Sequence, residues 1–107
     1  MEPGRITLRD EHDGKDHRHL AAYLDAEGNL HVDGQDLGPS TAQVSGDGEY
    51  EWFKIILATQ LPQLIKALGG EPHVGVLDLL KDRYTGAGSY EFERILRESG
   101  IPVDLQV

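Results

Sequence analysis

"EYEWFKIILATQLPQLIKALGG", residues 49–70, contains the change of hydrophobic period on which the fold turns. Up to Leu57 the apolar residues fill both phases of a two-residue repeat. Phe53, Ile55 and Leu57 occupy one phase, and Tyr50, Trp52 and Ile56 share the other with Lys54. A strand of this kind is central or has its second face covered, and its Phe53, Ile55 and Leu57 phase is expected to face the core. Beyond Thr59 the period becomes helical. Leu61, Leu64, Ile65 and Leu68 fall at i, i+3, i+4 and i+7, Pro62 sits in the first turn where a missing amide costs nothing, and Gly69-Gly70 ends the helix.

Reading outward from this junction, the N-terminal side alternates and the C-terminal side does not. Ile6 and Leu8, then Leu20, Ala22 and Leu24, then Leu30 and Val32 are separated by polar partners, and "DGKD" and "DAEGN" between the sets suit hairpin turns. Residues 34–48, with four glycines and Pro39, read as a connection. After the first helix, a second is expected near residues 73–84 with Leu77, Leu80 and Tyr84 in its stripe and Val76 beside it. A third begins at Ser89 as N-cap, carries Phe92, Ile95 and Leu96, and stops at Gly100. "IPVDLQV" then alternates as a terminal strand, with Pro102 at its start. Strands grouped before helices predict an α+β fold: one domain, residues 1–107, with an antiparallel sheet of four to five strands, three short helices packed on one face, and order ββββαααβ. Phe53, Ile55, Leu57, Leu64, Leu68, Leu80, Phe92, Ile95 and Val103 are the expected core.

A chain of 107 residues can bury roughly two-thirds of its unfolded surface without a metal or disulfide staple. It has no cysteine, which removes disulfides, thiolate metal sites and cysteine nucleophiles. No apolar leader and no long apolar window stand in the sequence, so a cytoplasmic location and no membrane are expected. The formal charge of -9 is lopsided. Residues 1–53 hold twelve acids and four bases, a balance of -8, whereas residues 54–107 hold seven and six, a balance of -1. Such a field repels phosphate backbones, so no nucleic-acid partner is expected and a basic protein is favoured.

The chemistry-bearing stretch is "EHDGKDHRH", residues 11–19, with three of the five histidines. If Gly14-Lys15 is the turn, Asp13 pairs with Asp16 and His12 with His17, and two imidazoles and two carboxylates could meet a divalent ion. A turn at Asp13-Gly14 instead pairs His12 with Lys15 and dissolves that site. An exposed, polar hairpin end is the preferred reading, with no metal and no cofactor, since zinc ligands are ordinarily held on rigid elements. His31 and His73 read as ordinary surface residues. No nucleophile elbow, zincin helix, phosphate-binding loop or EF-hand spacing occurs, and no catalytic residues are assigned. Opposite the expected core phase lie Tyr23, Tyr50 and Trp52, beside Asp25, Glu49 and Glu51, which together form an aromatic patch with an acidic rim suited to a basic partner.

"YLDAEGNLHVDGQDLGPS", "DGEYEW", "LGGEP", "VLDLLKDRYTGAG" and "RESGIPVDL" resemble a set of small, acidic, single-domain bacterial proteins of unassigned function, over most of the chain from Leu20 onward. In size and acidity the chain is also similar to cytoplasmic immunity proteins. That second likeness implies a protein-binding module that neutralises a basic toxin or nuclease domain. The alternatives are a structural or regulatory subunit that forms a homodimer through the aromatic face, and a small metal-dependent enzyme built on His12, His17 and His19.

Overall fold

The computed structural model describes residues 4–39 and 48–106. Four antiparallel strands come first: β1 (Ile6–Asp13), β2 (Asp16–Leu24), β3 (Leu30–Leu37) and β4 (Glu49–Ile56). A single 3-10 turn, Ala58–Gln60, leads into α1 (Leu61–Ala67), followed by α2 (Val76–Arg83), α3 (Gly88–Glu98) and the short β5 (Asp104–Gln106). The sheet order is β1-β2-β3-β4-β5, with every neighbouring pair antiparallel. This is the expected α+β arrangement, ββββαααβ. A meander of hairpins builds four strands, and the helices carry the chain back to lay β5 beside β4.

One core joins the helices to one face of the sheet. Leu8, Leu20, Ala22, Leu30, Val32 and Ile56 from the strands close on Leu64, Leu68, Val76, Leu79, Leu80, Phe92, Leu96 and Ile101. The first helix stripe is as expected, with Leu64, Ile65 and Leu68 all buried. In α2 the stripe is rotated by about one position: Val76, Leu79 and Leu80 are buried, and Leu77 and Tyr84 are packed at the margin. Ser89 is not the N-cap of α3. It lies inside that helix, fully buried, where its Oγ donates to the Gly86 carbonyl.

The fourth strand departs from the expected phase. Cross-strand partners share a face, and the register couples Leu30 to Ile56, Val32 to Lys54, Gly34 to Trp52 and Asp36 to Tyr50. Ile56 is fully buried, so Trp52 and Tyr50 stand on the helix side, while Phe53 and Leu57 are exposed at 39% and 55%. Phe53 and Leu57, and Ile55 between them on the same face, are therefore not core residues. With apolar residues in both phases, the pattern could not decide between faces. The decision came from β3, where Gly34 leaves room for the indole: a Cβ at that position would lie 2.1 and 2.2 Å from two carbons of the Trp52 ring. Ile95 and Val103 are half-buried at the core's edge. β3 also reaches Leu37, so residues 34–37 are strand rather than connection. The terminal strand is only three residues long, with Leu105 exposed. Val107 and residues 40–47 lie outside the described residues.

Strand β1 contains the irregularity that shapes the surface. Ile6 pairs with Ala22 and Thr7 with Ala21, but Arg9, not Leu8, pairs with Leu20. Leu8 is the extra residue of a β-bulge, which lets two consecutive side chains turn inward; Leu8 and Arg9 are both buried. Downstream of the bulge the phase is reversed. Asp10 and His12 thus emerge on the face opposite the helices, whereas uninterrupted alternation from Ile6 and Leu8 would have sent them inward.

Candidate functional site

The helix-free face of the sheet, among the described residues, is a polar surface laid out in rows by the strand register. One row runs His12, His17, Leu37, Glu49; the next runs Asp10, His19, Gln35, Glu51. A third crosses Ala21, Asp33, Phe53 and Gln106, and a fourth crosses Tyr23, His31, Ile55 and Asp104. Histidines gather at the β1–β2 corner, Glu49 and Glu51 at the β4 end of the same two rows, and aromatic and apolar groups in the two rows beyond.

The turn at Gly14-Lys15 is the one formed, because Asp13 pairs with Asp16 and His12 with His17. Gly14 has φ +62°, the left-handed backbone of a two-residue hairpin turn. Alternation then separates the carboxylates from the imidazoles: Asp13 and Asp16 project to the helix side, away from His12 and His17. The acid that joins the histidines is Asp10, which sequence reading had not singled out. Its Oδ1 lies 2.7 Å from His17 Nε2 and 3.5 Å from His12 Nε2. The His12 and His17 rings are stacked, with centroids 4.0 Å apart and planes 6° from parallel, and His19 meets His17 edge-on at 6.1 Å. The hydrogen bond from His17 holds the Asp10 carboxyl below its ordinary range.

Glu49 and Glu51 lie two residues apart on β4, and the Gln35 side-chain amide donates to both, at 3.4 and 3.5 Å. Hydrogen bonding with Glu49, followed by burial and charge repulsion from Glu49, pushes the Glu51 carboxyl up. The pair is an arrangement that an added cation would relieve. At the other end of the face Tyr23 stacks on His31 at 4.6 Å, with the Arg5 guanidinium 5.2 Å over the tyrosine ring and 3.6 Å from Asp33.

Asp25 has a structural task in the β2–β3 turn. Its Oδ1 accepts from the backbone amides of Glu27 and Asn29, and its Oδ2 accepts from the Asn29 side chain and pairs with His31 Nε2 at 2.9 Å. His31, which looked like an ordinary surface residue, is half-buried by these contacts. The His31 hydrogen bond, then the Asn29 amide, lower the Asp25 carboxyl from 3.8 to about 2. A group depressed in the folded state contributes stability that is present above its unfolded value and is lost as pH falls through the folded one. Asp25→Ala is therefore expected to lower the melting temperature at neutral pH and to flatten the stability curve between about pH 4 and pH 2 relative to the parent, measured by thermal unfolding across that range.

The six residues expected to form one patch do not share a face. Tyr23, Glu49 and Glu51 lie on the helix-free side, Asp25 closes a turn, and Tyr50 and Trp52 lie on the helix side, their rings 5.5 Å apart. That helix side also carries a second polar cluster, which no sequence pattern marks. Arg9, 4% exposed, donates from Nε to Ser89 Oγ at 2.9 Å and from a terminal nitrogen to Glu93 at 2.5 Å, with its guanidinium 3.6 Å over the Tyr90 ring. The Tyr90 hydroxyl donates to Glu11. Burial pushes the nearby Asp36 carboxyl up against the pull of Arg18 and Arg9. An arginine one position past an alternating Leu8 looks like a solvent residue in sequence, and only the bulge turns it inward.

Together the fold and surface define an open-faced antiparallel sheet protein whose helices cover one side. No protein-family model, curated protein or solved structure matches the chain. No helix among the described residues is long and apolar enough to cross a membrane.

Proposed function

We propose that the chain is a protein-binding module whose helix-free sheet face docks a basic protein, most concretely an immunity-type inhibitor that neutralises a basic toxin or nuclease domain. The observation that carries this reading is the Glu49–Glu51 pair held by Gln35 beside the exposed ring of Phe53. An incoming lysine or arginine would neutralise the paired carboxylates, and Phe53 with Ile55 offers the apolar contact that a charged rim alone lacks. The excess of acid in residues 1–53 supports the same choice of partner, because those residues supply β1 to β3 and most of β4. Tyr23 and Glu51 remain at the proposed surface, and Phe53 takes the anchoring role first expected of Trp52.

A short lysine-rich peptide titrated at low salt is expected to shift the backbone resonances of Glu49, Glu51 and Phe53 before those of α2. For a protein partner, Glu49→Lys with Glu51→Lys should slow association about tenfold or more and remove most of its salt dependence, whereas Phe53→Ala should mainly speed dissociation, by about 2 kcal/mol. Asp78→Lys with Asp82→Lys on α2 is the control of equal charge. Peptide shifts centred on α2, or a partner bound equally by all three variants, would overturn the reading. A stable homodimer broken by Phe53→Ala would point instead to a self-associating subunit.

A further inference from the structure

We infer that Asp10, His12 and His17 form a binding site for a borderline divalent transition-metal ion, of which Zn2+ is the representative. Two imidazole nitrogens and a carboxylate oxygen are brought within 4.8 Å of one another. Both Nε2 atoms approach the same oxygen, Asp10 Oδ1, which gathers the three donors at one spot; the two rings lie nearly parallel, so they must turn about χ2 before their in-plane lone pairs meet at one ion. Rotation of these side chains about χ1 and χ2, with the backbone held, would bring all three to the roughly 2.0–2.2 Å that Zn2+ requires of histidine nitrogen and carboxylate oxygen. Nitrogen donors in this number favour zinc, nickel, cobalt or copper over magnesium and calcium, which take oxygen.

The objection that a hairpin end is too loose to hold a metal does not apply to these positions. Asp10 and His12 stand on β1 and His17 on β2, all within the paired ladder, with the register fixed by the two-residue turn. His12 and His17 are direct cross-strand partners, and Asp10 is two residues along the same face, so the backbone sets all three before any ion arrives. The bulge at Leu8 is what brings Asp10 and His12 to this side. His12 and Asp10 are well exposed, at 67% and 56%, and His17 is more enclosed at 29%, so water has access to complete the coordination shell. His19, the cross-strand partner of Asp10, stands beside the cluster as a further imidazole. An ion held here would clamp β1 to β2, and it would add positive charge at one corner of an acidic face.

The inference is independent of the protein-binding role and is tested with Zn2+ alone. Calorimetric titration at pH 7.5 should give one site per chain. Binding should weaken by about tenfold or more in Asp10→Ala and disappear in the His12→Ala/His17→Ala double variant, while His31→Ala/His73→Ala binds as the parent does. Saturating Zn2+ should raise the melting temperature of the parent and leave that of the double variant unchanged. A readout that needs no substitution is the histidine spectrum of the parent chain, in which the ring protons of His12 and His17 should be the first perturbed by substoichiometric Co2+. Equal Zn2+ affinity in the parent and the double variant, a loss that follows His31 and His73, or Co2+ effects that begin at His73 would each overturn the site.

Discussion

Arg9→Ala is expected to destabilise the protein by about 3–5 kcal/mol, read from urea unfolding at neutral pH, although the residue removed is charged and lies on the edge strand β1. The guanidinium is buried under Tyr90 and makes directed bonds to Ser89 and Glu93. Removing it leaves the Glu93 carboxylate, 15% exposed, without its cation, and leaves the buried Ser89 hydroxyl without its donor. It also withdraws one of the two positive charges that oppose the burial of Asp36. The loss is large because the remaining partners are stranded, not because the ion pair is strong in itself. Arg9→Met combined with Glu93→Leu should therefore recover most of the loss, since an apolar pair of similar volume strands no charge. A cost below about 1 kcal/mol for Arg9→Ala would mean that water reaches the pair and that the network contributes little.

The same region shows why some of the molecule was legible in sequence and some was not. Hairpin turns within "DGKD" and at residues 25–29, the helical period from Leu61 to Leu68, and the buried Phe92 all follow from local patterns that tertiary structure had no reason to override, although only the register chose Gly14-Lys15 over Asp13-Gly14. The bulge at Leu8 is different. It inserts one residue into a strand whose alternation looks regular, and everything beyond it changes face. Arg9 then becomes a core residue and Asp10 a neighbour of the histidines. A carboxylate two residues before His12 was a usable signal for that cluster, but only once the phase of β1 was known. In β4 the ambiguity was of another kind, because apolar residues in both phases make either face plausible, and choosing between them requires the cross-strand partner. Gly34 is that partner. A glycine in the middle of "HVDGQD" reads as a turn in isolation, yet in the sheet it is the seat of an aromatic ring.

Gly34→Val and Trp52→Ala are accordingly expected to be strongly coupled. Gly34 is buried in β3 directly opposite Trp52, and the indole lies over it, packed at the edge of the core. Trp52→Ala removes this cover and should cost about 3 kcal/mol, the lower part of the range for aromatic truncation because the ring is only half-buried. Gly34→Val should cost a similar amount, about 3 kcal/mol, since the new side chain occupies the volume of the indole and expels it from the core margin. In the double variant the clash has nothing to act on. Valine can fill part of the space that the indole leaves, and it suits a strand better than glycine does. The double variant should therefore be no less stable than Trp52→Ala alone, a coupling of about 3 kcal/mol or more in a double-mutant cycle measured by denaturant unfolding. Additive losses would mean that the ring does not rest on Gly34. A neutral Trp52→Ala would place the indole outside the fold and return it to the list of surface anchors, with Phe53 losing the anchoring role assigned to it on the opposite face.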